Sequence, residues 1–249
     1  IMLTVTVLQF TTLAMKGGAY VYYFENYVSK NSLSDFISPI IDFLSSIGIN
    51  FFGSDPVSAG FGLFNAGGII FMIIGIGLSK MLADKYGKRN VFGVFLFIST
   101  LFILVFYVLS PDSINLIFGA QIFHGFFYGI TIPLLWAMIA DVADYSEWKN
   151  NRRATAIIFS AMMVGLKLGL SIGGALVASI LGSYGYVPNS VGEQTESAIL
   201  GTKMLVSIFP SIPFLVAAAL LFFYVIDKKM EDKIEPVSYT HLTLPTTHC

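Results

Sequence analysis

Ten of the fourteen lysine and arginine residues fall in three short clusters, and long apolar segments separate one cluster from the next. The clusters lie at residues 80–89, 149–153 and 228–233. Basic residues beside a membrane span resist translocation, so they accumulate in cytoplasmic loops. The apolar chain between two clusters is long enough to cross a bilayer out and back. The pattern predicts an integral membrane protein whose three basic clusters all face the cytoplasm.

The composition agrees with this class and disfavours several others. Hydrophobic residues make up 55% of the chain and charged residues 12%, with a mean hydropathy of +0.77, whereas a soluble domain carries roughly a quarter charged residues. The net charge of −1 gives no sign of a nucleic-acid partner. The sequence has no metal-ligand spacing, phosphate-binding glycine loop or nucleophile motif, so we predict neither an enzyme nor a resident cofactor.

Six segments have the roughly 20 apolar residues that a membrane-spanning helix needs. They are residues 2–24, 57–78, 91–109, 114–139, 154–181 and 204–226. We expect Lys16-Gly17-Gly18 to interrupt the first span, Pro133 to kink the fourth, and Pro210 with Pro213 to bend the sixth. An even number of spans places both termini in the cytoplasm. The predicted fold class is therefore an all-α integral membrane bundle.

The loop between the first two spans has its own pattern. Five apolar residues recur there at helical spacing: Ile37, Ile40, Ile41, Leu44 and Ile47. This spacing predicts a short helix lying in the membrane interface, although an apolar loop packed on the span ends fits equally well.

Both ends of the chain indicate that the sequence is a fragment. Ile1 opens directly inside an apolar stretch, so we expect further coding sequence upstream. Residues 236–242 (Pro-Val-Ser-Tyr-Thr-His-Leu) match the translation of a sequencing-library adapter. Residues 236–249 are therefore predicted to be an artefact, and 1–235 to be the native bundle. The single cysteine, Cys249, falls in the artefact and carries no information on redox compartment.

A tight basic turn, residues 79–89, follows the second predicted span with the sequence Ser-Lys-Met-Leu-Ala-Asp-Lys-Tyr-Gly-Lys-Arg. Gly87 permits a sharp reversal, and Asp84 can pair with basic neighbours or cap a helix end. The turn resembles the loop motif of the major facilitator superfamily, which joins the second and third helices of each half.

Further motifs strengthen this resemblance because they occur in order and at the right separations. They are Lys16-Gly17-Gly18-Ala19 with Tyr22-Tyr23-Phe24, the run 133–149 followed by 152–155, Phe159-Ser160-Ala161 with Lys167-Leu168-Gly169, and the segment 185–189. Over about residues 1–230 the chain resembles the carboxy-terminal half, helices seven to twelve, of the glycoside-pentoside-hexuronide:cation symporter family.

This resemblance implies a function and its partners. The chain would be half of a twelve-helix facilitator in the plasma (inner) membrane, and a sugar or glycoside would bind at mid-membrane between the two halves. Rocking of the halves would give alternating access. The co-transported cation, sodium or a proton, would bind mainly to carboxylates of the missing amino-terminal half.

Lys167 is the strongest candidate site residue because it lies in the middle of the fifth span. Ser160 and Ser171 share its helix face, while Gly165, Gly169 and Gly173 form a small-residue stripe on another face. We predict that the glycine stripe packs against a helix while Lys167 faces a cavity. The alternative is a lysine paired with a carboxylate for assembly alone. In the family that the chain resembles, the matching lysine belongs to the polar network around the sugar and cation sites.

The fourth span carries a second polar face. Gln121, His124, Tyr128 and Thr131 share one side of the predicted helix. Their side chains can donate and accept hydrogen bonds as sugar hydroxyls require. A cluster of interhelical hydrogen bonds is the alternative interpretation. Trp136 is either a sugar-stacking ring near the cytoplasmic end of the cavity or an interface anchor.

Two further candidates are Lys16 and Met163. Lys16 lies beside two glycines that could loosen the helix, and a broken helix near the midplane often marks a transport site. Met162 and Met163 occupy positions that are polar in melibiose permease, and Ile132 replaces an aromatic residue of some relatives. These departures argue against a melibiose-like substrate.

The segment after the fourth span mixes acidic and basic residues. The set consists of Asp141, Asp144, Glu147, Lys149, Arg152 and Arg153. Such residues often form only weak solvated pairs. The resemblance instead implies a cytoplasmic gate, to which Asp84 and Arg89 of the basic turn also belong.

One function of another class fits the same six spans. A self-contained six-span channel or carrier acting as a homo-oligomer would need no second half.

The basic clusters generate a prediction about sidedness. Cysteines introduced at Lys88 and at Ser190 of the full-length protein should react with a membrane-impermeant reagent from opposite sides, because ten loop cations lie on one side and two on the other. Reaction of both cysteines from outside intact cells would contradict the topology.

Overall fold

The computed structural model describes residues 1–49, 55–150, 154–188 and 194–234, and in these ranges the regular structure is α-helical. The principal helices are α1 (Met2–Asn26), α2 (Lys30–Ser46), α3 (Pro56–Tyr86), α4 (Lys88–Val105), α5 (Ile114–Asn150), α6 (Thr155–Ser183), α7 (Glu196–Val206) and α8 (Ile208–Leu221). Residues 228–234 are also helical.

Five helical segments of the described chain are long and apolar enough to cross a membrane. They are α3, α4, α5, α6 and the run Glu196–Leu221 that contains α7 and α8. The predicted all-α membrane bundle is confirmed. The first predicted span, α1, is not among these five segments. Its 25 residues reach about 37 Å, so its length alone would be enough to cross a membrane. Its polar side chains lower its hydropathy, and several of them are buried in the bundle.

The helix boundaries differ from the predicted spans in ways that proline and charge explain. Helix α5 passes through Pro133 and does not end with the apolar segment. The charged residues that follow are also helical, so the helix reaches Asn150. The sixth predicted span is divided at Ser207. Pro210 has no N–H to donate to the carbonyl of Val206, so the first helix ends there and a second begins.

The predicted interruption of the first span is wrong. Helix α1 runs continuously through Lys16, Gly17 and Gly18. A Cβ atom placed on Gly18 would lie 3.4 Å from Val177 of α6. The small residue therefore allows α1 and α6 to approach closely, and it does not break the helix.

The two segments that connect the first three predicted spans are a helix and a tight turn, and the predicted turn at Gly87 is confirmed. Gly87 has φ of +83° and separates α3 from α4 by one residue, which is the conformation that favours glycine. The short helix expected after the first span is α2, whose Leu33 and Ile37 are buried.

Glycines bring two pairs of helices into backbone contact. A Cβ atom on Gly75 of α3 would lie 2.1 Å from the carbonyl oxygen of Phe126, and one on Gly129 of α5 would lie 2.2 Å from that of Met72. On α6, a Cβ atom on Gly169 would lie 2.5 Å from the carbonyl oxygen of Val7 in α1. The predicted glycine stripe of α6 therefore packs on α1, and α3 packs on α5 in the same way.

Two apolar clusters fill the bundle, one toward each end. The first contains Phe92, Met138 and Phe214, and the second contains Phe24 and Phe64. Helices α1 and α5 contribute to both clusters. Between their apolar ends these two helices carry buried polar residues at mid-height.

Two neighbouring glycines of α6 give a matched test of the close packing. A Cβ atom on Gly173 would lie 2.5 Å from the carbonyl oxygen of Thr11, whereas one on Gly174 would meet nothing within 4 Å. Gly173→Ala should destabilise the protein by about 1 to 3 kcal/mol through overpacking. Gly174→Ala should be neutral or slightly stabilising because alanine favours the helix. Thermal unfolding in detergent compares the two, and equal midpoints would contradict the packing.

Candidate functional site

A layer of buried polar side chains crosses the bundle between the two apolar clusters. We call it the polar layer, and it consists of Gln9, Lys16 and Tyr20 of α1, Ser99 of α4, and Gln121, His124 and Tyr128 of α5. The α1 members lie seven and eleven positions apart, so they share one helix face. Each member of the polar layer is at most 9% exposed.

Hydrogen bonds join the three helices across this layer. The hydroxyl of Tyr20 donates to Oε1 of Gln121 at 3.1 Å, and Nε2 of Gln9 donates to the hydroxyl oxygen of Tyr128 at 3.3 Å. Nδ1 of His124 lies 3.0 Å from the hydroxyl of Ser99. The α5 side chains therefore have partners inside the chain, as the interhelical interpretation of that face predicts.

Aromatic rings extend the layer toward α8. The rings of His124 and Tyr128 stack at a centroid distance of 5.8 Å, and those of Tyr128 and Phe214 stack at 5.7 Å. The hydroxyl of Thr12 in α1 donates to the carbonyl oxygen of Pro210 at 2.8 Å. Helix α8 is thus held against the layer by ring stacking and by one buried hydrogen bond.

Several groups on α1 remain unsatisfied among the residues that the structure describes. Three buried atoms of this helix have no hydrogen-bond partner there: Oγ1 of Thr6, Oε1 of Gln9 and the hydroxyl of Tyr23. The ammonium of Lys16 lies 5.3 Å from the centroid of the Tyr20 ring. Native interiors leave few polar groups without partners, so such a concentration on one helix is a sign of function.

The structure brings together some predicted site residues and separates others. Gln121, His124, Tyr128 and Lys16 belong to the polar layer. Trp136 is partly buried against the first apolar cluster, fifteen positions and about 22 Å along α5 from Gln121.

The remaining candidates lie on the outer face of α6. Met163 is 45% exposed, and Lys167, Ser160 and Ser171 are exposed. The hydroxyl of Ser171 donates to the carbonyl oxygen of Lys167 at 2.9 Å, within the same helix. The glycine face of α6 packs as predicted, and Lys167 lies on a separate, exposed face. That the lysine face lines a cavity stays a prediction.

Sequence reasoning missed Gln9 and Ser99. Gln9 lies two turns before Lys16 on one face, and this spacing could have identified it. Ser99 is a lone serine in an apolar helix, and only the tertiary contact with His124 reveals its role.

A second polar cluster lies beyond the cytoplasmic ends predicted for the spans. Nζ of Lys88 is 2.7 Å from Oδ1 of Asp141 and 4.0 Å from Oε2 of Glu231. Burial raises the pKa of Glu231 above its usual value, and Lys88 opposes that shift. The cluster connects α4, α5 and the helical residues 228–234.

Near this cluster, two basic side chains donate hydrogen bonds to backbone carbonyl oxygens of other segments. Nη1 of Arg89 donates to the carbonyl oxygen of Tyr224 at 3.0 Å, and Nζ of Lys228 donates to that of Asp84. Of the other predicted gate residues, Asp144 and Glu147 also interact with neighbours. Arg152 and Arg153 lie outside the described residues.

An apolar crevice of about 340 Å³ lies near this cluster. Its lining includes Met2, Ile139, Tyr145, Met162 and Ile226. Such a lining offers few hydrogen bonds to a sugar, so the polar layer remains the better candidate site.

The sequence matches the family described as MFS/sugar transport protein over residues 43–228. The chain belongs to that family. Two relatives come from Escherichia coli (strain K12): the chain is 29% identical to the Glucuronide carrier protein homolog and 32% identical to the Inner membrane symporter YicJ. It is also 29% identical to the Isoprimeverose transporter of Lactiplantibacillus pentosus. These relatives confirm the resemblance to glycoside-pentoside-hexuronide:cation symporters, and they are transporters rather than enzymes.

The three alignments cover 69%, 59% and 77% of this chain. They cover only 38%, 32% and 39% of the relatives in the same order. The chain therefore spans well under two thirds of the length of these curated relatives.

The Lys88–Asp141 pair generates a stability prediction. Their side chains are 28% and 16% exposed, so the pair is intermediate between a surface and a buried ion pair. Lys88→Met should destabilise the protein by about 1 to 2 kcal/mol, because it leaves the Asp141 carboxylate unpaired. Thermal unfolding in detergent measures the effect.

Lys80→Met is the control, because Lys80 is exposed at the end of α3. This variant should change the midpoint little. A double-mutant cycle with Asp141→Asn isolates the pair, and strict additivity of the two changes would refute the interaction.

Proposed function

We propose that this chain forms the carboxy-terminal six-helix half of a sugar:cation symporter in the plasma membrane, with both termini in the cytoplasm. The polar layer carries the proposal. A charged residue at the centre of a span costs about 2.5 to 3.5 kcal/mol on insertion scales, so lysines such as Lys16 are retained there mainly for function. The family and the names of its relatives support a sugar as substrate, and the name symporter supports cation coupling.

Helix α1 is the sixth span in this proposal. It is long enough to cross the hydrocarbon core, and it packs along α6 and α8, which belong to candidate spans. Its polar face is directed into the bundle, where Gln9 and Tyr20 bond to α5. Neighbouring helices thus shield from lipid the side chains that make α1 less apolar.

The outer face of α6 meets the other half of the transporter. Lys167, Ser160 and Met163 are exposed there, although a lysine on a lipid-facing surface near mid-membrane is unfavourable. The lengths of the relatives leave room for a second bundle. Lys167 then lines the cavity between the halves, and the coupling cation binds mainly to carboxylates of the partner bundle.

The cytoplasmic cluster serves as this half's part of the gate. Lys88, Asp141 and Glu231 connect three segments at the end where Asp144 and Glu147 also lie. Closing the cytoplasmic side requires charged groups that can exchange partners between the two halves. The acidic end of α5, with Arg152 and Arg153 after it, supplies such groups.

Uptake by the complete transporter tests the function. Cells or liposomes containing it should accumulate a labelled glycoside against its gradient when a sodium or proton gradient is imposed. Lys167→Ala should insert normally and reduce active uptake by at least about tenfold. Lys167→Arg should restore little, because a guanidinium does not reproduce the compact ammonium.

Lys80→Ala controls for the loss of an exposed positive charge and should transport normally. Near-normal uptake by Lys167→Ala would refute the role of this lysine, and the absence of sugar uptake by the wild type would refute the function. Residues 1–235 alone in liposomes should accumulate nothing. Concentrative uptake by them would instead support a self-contained six-span carrier that acts as a homo-oligomer.

A further inference from the structure

A narrow cleft opens between α4 and α8 at the end of the bundle where α3 turns into α4. Its volume is about 130 Å³. Apolar residues of the two helix ends form its walls: Gly93, Val94, Ala218, Leu221 and Phe222. Arg89 also lines it, one turn of α4 before Gly93. The cleft is therefore apolar along its length and has a guanidinium at one end.

Gly93 keeps this cleft open. A Cβ atom placed on Gly93 would have the side chain of Leu221 as its nearest neighbour, at 3.9 Å. No backbone atom of α8 is among the atoms within 4 Å of that position. The contact between α4 and α8 is thus looser here than the glycine contacts within α3–α5 and α1–α6. A larger side chain at position 93 would fill the space.

The surface around the cleft has the character of a lipid-facing surface. Both walls belong to helical segments that are long and apolar enough to cross a membrane. From Val91 to Val105 every exposed residue of α4 is apolar, and on the other wall Phe222 is 85% exposed. The outer face of α6 differs, because it carries Lys167 and two serines. Hydrocarbon is the environment that suits the α4–α8 surface.

Arg89 is a partly buried cation without an anion among the described residues. Its Nη1 donates to the carbonyl oxygen of Tyr224 at 3.0 Å, which holds the guanidinium beside the end of α8. No described carboxylate forms an ion pair with Arg89, whereas its neighbour Lys88 is paired with Asp141. A guanidinium stays charged and has five N–H donors. Most of these donors are therefore available to an anion.

The surrounding charges favour an anion at this position. Residues 80–89 and 227–233 together contain seven basic and four acidic residues. Two of the acidic side chains have other partners: Glu231 lies 4.0 Å from Lys88, and Oδ1 of Asp227 accepts from the N–H of Met230 at 3.0 Å. Basic groups clustered at the ends of membrane spans attract anionic lipid headgroups.

Size and chemistry together favour a lipid over a small solute. At about 130 Å³ the cleft is smaller than the roughly 300 Å³ at which small-molecule pockets begin. An acyl chain needs only one side covered by protein, because the bilayer covers the other. A phosphate matches the fork of N–H donors on a guanidinium. A choline headgroup would add a further cation to a basic region, so an anionic headgroup fits better.

We propose that one anionic phospholipid binds in this cleft, with its phosphate on Arg89 and an acyl chain between α4 and α8 along Gly93. The lipid occupies the leaflet that borders the α3–α4 turn. The site is separate from the polar layer, and it does not depend on which solute the transporter carries.

Native mass spectrometry of the complete transporter tests the site. The protein is titrated with phosphatidylglycerol and with phosphatidylcholine of the same acyl chains, and the affinity for the first bound lipid is measured. The wild type should bind phosphatidylglycerol about fivefold or more tightly than phosphatidylcholine. Arg89→Gln should remove most of this preference, and Gly93→Leu should weaken both lipids because it fills the cleft. The two changes should be less than additive, since they act on the same lipid.

Two matched controls separate the site from general effects. Lys149→Gln removes an exposed positive charge at the end of α5 and should keep the preference for phosphatidylglycerol. Gly77→Leu adds the same side chain as Gly93→Leu at an exposed position of α3, where a Cβ atom would meet nothing within 4 Å. It should bind both lipids as the wild type does.

Three results would overturn the proposal. Equal affinity of the wild type for the two lipids would mean that Arg89 reaches any phospholipid headgroup without selecting one. Full retention of phosphatidylglycerol affinity by Gly93→Leu would place the acyl chain elsewhere. Displacement of the lipid by inorganic phosphate at equal concentration would identify a site for a free anion instead. If Arg89→Gln does not fold, the preference of the wild type and the affinity of Gly93→Leu still decide.

Discussion

Backbone contact between glycine-bearing helices is the constraint on which the bundle depends. In lipid, helix association gains little from the hydrophobic effect, so close van der Waals packing must hold the helices together. The contacts of Gly75 and Gly129 hold α3 against α5, and those of Gly169 and Gly173 hold α6 against α1. Each contact is so close that a single added methyl group would collide with a carbonyl oxygen. The bundle therefore contains two tightly packed helix pairs.

The polar layer lies where these two pairs meet. Helix α1 belongs to one pair and α5 to the other, and Gln9–Tyr128 and Tyr20–Gln121 are the side-chain hydrogen bonds between them. Polar contacts at such a boundary can be exchanged for contacts with a ligand at little cost, because each lost hydrogen bond is replaced by another. Glycine contacts within a pair cannot be exchanged in this way. The tight glycine contacts thus lie within each helix pair, whereas the exchangeable side-chain hydrogen bonds lie between the pairs, at the α1–α5 interface.

The sequence predicted most of the fold because membrane spans leave strong local signals. Apolar length predicted six spans, and five of them match helical segments of the described chain that are long and apolar enough to cross a membrane. Gly87 predicted the turn between α3 and α4, and the glycine period predicted the packed face of α6. The continuity of α1 was mispredicted, since Gly17 and Gly18 also suit helix packing. Partners such as Ser99 for His124 and Lys88 for Asp141 depend on contacts between distant segments. Local periodicity does not contain that information.

The two polar clusters differ in a way that follows from their depth. At the end of the bundle where α3 meets α4, Lys88 is more than a quarter exposed and is paired with Asp141. Water and a carboxylate therefore both stabilise its charge. At mid-height, Lys16 is nearly inaccessible, and among the described residues it lies over the Tyr20 ring and forms no ion pair with a carboxylate. A protein that needed Lys16 only for assembly would gain stability by supplying a carboxylate there, as it does at Lys88. A lysine kept at this depth without a carboxylate partner among the described residues therefore supports the proposal that the polar layer belongs to the transport site.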